Sequence, residues 1–141
     1  MKYLLIAVAL MVSSAAHCAE TCSSSDAKAA GEATDAMKTW PALYTGFKTF
    51  GRFDDGSIAE GFDEDVVHLL ATDWGSLKTA ARIFAKDNAF RKFVLRHISA
   101  TADGDELVRI SALAKSQCPA NLAALCKDIQ ASAAAATRGA Q

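Results

Sequence analysis

Proline occurs only twice in the 141 residues and aromatic side chains make up 8%. No stretch alternates apolar and polar residues at strand period. With few helix breakers and no such alternation, sheet architectures are excluded and helices joined by short connections are expected. A basic excess is missing too, since 15 Lys and Arg stand against 16 Asp and Glu. Nucleic-acid binding, which rests on cationic surface displacing counterions, is therefore not expected. The one long apolar run, Leu4 to Val12, is too short to span a bilayer.

What is present begins with "MKYLLIAVALMVSSAA", a basic residue, an apolar core and small residues, the layout of a secretory signal peptide. Ser14 and Ala16 fit the cleavage rule, so residues 1–16 are read as the signal, with Ala19 as the later alternative. Cleavage removes Lys2 and no acid, which leaves a net charge of about −2. A periplasmic or secreted location follows, with no membrane span in the mature chain.

Export gives the four cysteines, Cys18, Cys22, Cys118 and Cys126, a reading as disulfides. Four cysteines allow three pairings. The stretch "CPANLAALC" favours Cys118 with Cys126, through a turn at Cys118–Pro119, a cap at Asn121 and a helix carrying Cys126 on its second turn. In one continuous helix the two would stand about 12 Å apart, beyond disulfide reach. The chain must therefore fold back before Asn121.

Residues 17–36 are rich in Ser, Ala and Thr without an apolar face and read as a flexible leader. A first helix follows, with Thr39 as cap, Pro41 in its first turn, and Trp40, Leu43, Phe47 and Phe50 on one side. The next segment, "DDGSIAEGFDEDVVHLL", carries six acids and no base in residues 54–65. Ser57 and Glu60 form an S-x-x-E capping box, after which Ile58, Phe62, Val66, Leu69 and Leu70 share a face opposite Glu60 and Glu64. Further helices are expected at Ser76–Lys86, after Asn88, after Asp105 and from Asn121 to about Ala131, with residues 132–141 fraying. The fold class is all-α, a disulfide-bridged bundle of five or six short helices spanning 37–131.

The chemistry-bearing residues are few. Asp65 and His68 have the i, i+3 spacing of di-iron bundles, but those need the motif twice and His97 follows Val94 at that spacing. Neither "DDGSIAEGFDED" nor "TADGDE" spaces its oxygens as a calcium loop does, and no Cys/His pair repeats as zinc requires. Neither a metal nor another cofactor is expected. His68 reads as a surface residue near Glu64, and His97 as a partly buried polar edge. No serine or cysteine has a histidine at a readable spacing, so the chain is not read as an enzyme.

The remaining signal is charge layout. The acids of 54–65 contrast with residues 78–97, where Lys78, Arg82, Lys86, Arg91, Lys92 and Arg96 meet Asp87 alone. Two readings stand: the segments pair internally, or they form surfaces that steer a charged partner. On the second reading, Asp54, Asp55, Glu60, Asp63 and Glu64 form a contact ridge for a protein partner.

The segments "DDGSIAEGF", "VVHLLATDW", "FVLRHI" and "CPANLAALC" resemble a family of small exported helical proteins of Gram-negative bacteria, most without an assigned activity, over about residues 40–130. In size, export and helical build the chain also looks like periplasmic immunity proteins that neutralise peptidoglycan-cleaving type VI effectors. That likeness implies a non-catalytic protein covering a toxin's active-site groove. No immunity motif aligns position by position, so no inhibitory residue is carried over. The alternatives are an envelope hydrolase using carboxylates of 54–65 and a structural envelope protein without a specific partner.

Overall fold

A computed structural model describes residues 24–34 and 36–140. Among them the chain forms seven α-helices and no strand: α1 (Ser24–Thr34), α2 (Trp40–Phe50), α3 (Gly56–Thr72), α4 (Leu77–Phe84), α5 (Asn88–Arg96), α6 (Gly104–Ser116) and α7 (Ala123–Gly139). Single 3-10 turns at Gly51–Phe53, Trp74–Ser76 and Ala120–Leu122 connect some of them. The all-α class is as expected, with more helices than the five or six foreseen. The expected signal peptide, Cys18 and Cys22 lie outside the described residues.

The helix from Trp40 forms as its residues dictate. Thr39 accepts from the backbone N–H of Ala42 at 3.3 Å, Pro41 sits in the first turn, and Gly51 closes the end. Trp40 and Leu43 are buried and Phe47 and Phe50 pack against the same core. Gly46 leaves room for the end of the Met37 side chain, whose Sδ and Cε would stand 2.3 Å from a Cβ there and would have to shift. In the middle of the core, Phe62 meets Phe93 edge-on with centroids 4.9 Å apart, and Phe93 meets Phe47 at 4.8 Å. Such contacts add about 0.5–1.5 kcal/mol each to plain burial.

Two segments expected to be loose are helical. Residues 24–34 of the supposed leader form α1, which packs on α3 and α2 with Ala30 fully buried. At the other end, α7 runs to Gly139 instead of fraying after Ala131, with Ala133 and Ala136 buried. Alanine explains both: its helix propensity is the highest and its small side chain lets backbones approach closely. α7 folds back along α6, the most extensively packed helix pair in the structure.

Three caps move towards the N-terminus. α3 starts at Gly56 under Asp55, whose carboxylate accepts from the Gly56 N–H at 2.8 Å, so Ser57 lies inside the first turn and the Ser57–Glu60 capping box does not form. Gly56 takes φ +52°, the left-handed region where a side chain would be strained. Asp87, not Asn88, caps α5, and Asp103, not Asp105, caps α6, each accepting from the N–H three residues on.

The bond between Cys118 and Cys126 is present, with Cα atoms 6.0 Å apart. It spans the connection between α6 and α7. The chain does fold back before Asn121, but Asn121 sits in a 3-10 turn and Cys126 lies in the first turn of α7, whose cap position is Leu122. Among the described residues no helix is long and apolar enough to cross a membrane.

Candidate functional site

The acids of residues 54–65 divide by the direction in which α3 turns them. Ile58, Phe62, Val66, Leu69 and Leu70 are buried as the apolar face, and Glu60 and Glu64 point to solvent on the opposite side. Asp63 and Asp65 lie on the two shoulders between. Both are buried, at 8% and 3% exposure. Asp65 receives Lys38 at 3.1 Å.

Asp63 belongs to a network that local spacing does not suggest. His97, at the C-terminal end of α5, is 3% exposed and its ring lies tilted at 48° against Phe93, centroids 4.1 Å apart. Its Nδ1 lies 2.6 Å from Asp63 Oδ1 and its Nε2 lies 3.2 Å from Asp54 Oδ2. Thr101 donates its hydroxyl to the other oxygen of Asp63, and Arg96 donates to Asp54 Oδ2. The Ser99 hydroxyl stands 2.9 Å from that of Thr101. Burial alone would raise the Asp63 carboxyl. The hydrogen bonds from His97 and Thr101, the His97 charge and the Ser99 hydroxyl outweigh that effect and hold it below the ordinary carboxylate range.

The proton arrangement follows from donors and acceptors. An ionised carboxylate accepts only, so when the ring is protonated each of its nitrogens donates to the carboxylate that it faces. Asp54, Asp63, His97 and Arg96 then sum to zero. A buried group of charges is tolerated when it is compensated in this way.

The outward acids shape a different feature. Ser57, Glu60, Gly61, Glu64 and His68 of α3 form one wall of an open groove of about 910 Å³, and Thr101, Ala102, Asp103 and Glu106 form the other. Among the described residues no Lys or Arg lines it. His68, half-exposed, reaches across to Glu106 with Nδ1 2.9 Å from Oε1, so its partner is Glu106 and not Glu64. The groove and the buried network meet at Thr101, whose hydroxyl holds Asp63.

Of the five residues expected on a contact ridge, Glu60 and Glu64 are exposed and line the groove, and Asp55 is exposed at the cap of α3. Asp63 is not on the outer surface, and the Asp54 side chain is 13% exposed. Both correct the expected ridge, because His97 and Thr101, or His97 and Arg96, bring donors to them from more than thirty residues away. His97 is correspondingly a buried centre and not a partly buried edge. Asp103 and Glu106 were missed as groove residues; "TADGDE" reveals its acids, but not that they face α3. Internal pairing of the two charged segments is partial: Arg96 reaches Asp54, whereas Arg91 pairs with Asp128.

No group of His, Cys, Asp and Glu among the described residues has the arrangement of a metal site. Comparison with known protein families, characterised proteins and solved structures finds no match.

Proposed function

We propose that the chain is a periplasmic or secreted protein-binding module that receives a cationic segment of a partner protein in the groove between α3 and α6. In its most concrete form it is an immunity or inhibitor protein covering a cell-wall-directed toxin. The observation that carries this reading is the groove itself: four carboxylates, Glu60, Glu64, Asp103 and Glu106, on two walls, with His68 and no Lys or Arg among the described lining residues. Two of the acids stand on a capped helix anchored in the core, so binding orders little that is not already ordered. Their field would speed encounter with a positive partner and fix its register. The Cys118–Cys126 bond accords with an oxidising compartment. The architectural likeness to periplasmic immunity proteins points the same way.

The test is charge reversal. Glu60→Lys with Glu64→Lys should abolish capture of the partner from an envelope extract at low salt, with helical circular dichroism unchanged. Capture that survives the double reversal would remove the groove from the account.

A hydrolytic reading draws on the same place. Glu60 and Glu64 face Asp103 and Glu106 from opposite walls, and His68 beside Glu106 makes the two walls unlike, as an acid–base pair needs. Release of soluble fragments from purified peptidoglycan, lost in Glu106→Gln, would favour this reading. A chain showing neither capture nor hydrolysis would fit a structural envelope role.

A further inference from the structure

We propose that His97 is a proton-controlled latch on the acidic groove: the protonated ring holds the segment before α3 through Asp54 and, through Asp63, the loop before α6, and losing a proton loosens the first of these, which then rests on Arg96 alone. The bearing on the groove rests on the binding role proposed for it; the latch itself rests on the buried geometry.

Two pieces of chain converge on the ring, Asp63 from α3 and Asp54 from the connection ahead of it, and Arg96, the residue before His97, makes a second contact to Asp54. Among the described residues these are the charged groups around His97; Phe62 and Phe93 supply apolar contacts, with centroids 5.7 and 4.1 Å from the ring. Thr101, held by Asp63, carries the loop that forms the second groove wall, and Ser57, three residues beyond Asp54, begins the first.

The two ends of the latch are unequal. The Nδ1 contact to Asp63 is 2.6 Å and the Nε2 contact to Asp54 is 3.2 Å. Asp54 also keeps Arg96, whereas among the described residues the ring is the one basic group paired with Asp63. The proton that leaves as pH rises is therefore the one on Nε2. It passes to solvent, and a nitrogen lone pair then faces the Asp54 carboxylate. Attraction becomes repulsion in a buried place, where it is weakly screened. Residues 53–57 then hold to α5 through Arg96 alone, while Thr101 stays bound through Asp63. The sign is fixed: closed when the ring is protonated, looser as pH rises.

Nuclear magnetic resonance of the full chain with labelled histidine tests this between about pH 5 and pH 9. At the low end both ring nitrogens of His97 should carry protons; at the high end Nε2 alone should be bare. Across the same step, amide protection factors of residues 53–57 should fall about tenfold while those of α7 stay constant. Asp54→Asn, which removes the charge facing Nε2, should abolish the protection step. Loss of the Nε2 proton without a change in protection, loss of the Nδ1 proton first, or an equal change throughout the chain would each overturn the latch. Calorimetry with an oligolysine peptide reads the groove separately. Binding that changes severalfold across the step in the native chain and not in Asp54→Asn supports latch control, and binding indifferent to the step overturns it. A peptide that does not bind at any pH contradicts the acidic-groove reading and leaves the latch to the ring and exchange data, which decide it alone.

Discussion

On one helix, Glu60 and Glu64 are wet while Asp63 and Asp65 are buried. At 100° per residue the two aspartates stand about 70–90° from the centre of the apolar face and the two glutamates nearly opposite it. Position on the wheel explains the glutamates. For the aspartates it leaves either outcome open, and what decides is whether another element delivers a donor. Lys38 reaches Asp65 from ahead of α2, and His97 and Thr101 reach Asp63 from α5 and the loop after it. A carboxylate at the edge of a buried face is therefore structural or functional according to residues distant in sequence.

The most severe way to break this contrast is Asp63→Ala, which strips His97 and Thr101 of their acceptor and leaves a buried charge uncompensated. Urea unfolding should show a loss of about 3–5 kcal/mol. Asp65→Asn should cost less, about 1–2 kcal/mol, because Lys38 is largely exposed and can return to water.

Acid sharpens the contrast without removing a side chain. Asp63 is held below the ordinary carboxylate range as described, and Asp87 is also lowered, first by the Phe90 N–H and further by Tyr44 and Lys48, against an opposing effect of burial. A carboxyl lowered in the folded state contributes stability that is present above the unfolded value near 3.9 and lost as pH falls through the folded one. Stability measured from about pH 5 to about pH 2 should therefore decline, and Asp63→Asn should flatten that slope while Glu60→Gln with Glu64→Gln leaves it unchanged. The smallest effect is expected for the same glutamate pair at neutral pH, a change within about 0.5 kcal/mol by urea unfolding.

Elements built on large apolar side chains were legible in the sequence. Trp40, Leu43 and Phe47 fixed α2, Ile58 to Leu70 fixed the inner face of α3, and the Cys118–Pro119 turn located the disulfide. Elements built on alanine were not, because Ala30, Ala133 and Ala136 bury too little surface to mark a periodic face. The three caps that moved towards the N-terminus share one cause. Where several capping residues crowd together, an aspartate one or two places earlier accepted the free N–H groups, as Asp55, Asp87 and Asp103 do. At the site, the outward acids could be read from helical period alone. Their division from Asp54 and Asp63 could not, since the histidine that captures those two lies 43 and 34 residues away.

The central claim is that one acidic stretch serves two separable ends, Asp54 and Asp63 holding the fold and Glu60 and Glu64 meeting a partner. The most direct measurement compares Asp63→Asn with Glu60→Lys/Glu64→Lys for urea midpoint and for oligolysine affinity at low salt. The account predicts a lowered midpoint in the first and lost affinity with an unchanged midpoint in the second. A stable Asp63→Asn protein, or a double reversal that unfolds the chain while affinity persists, would contradict it.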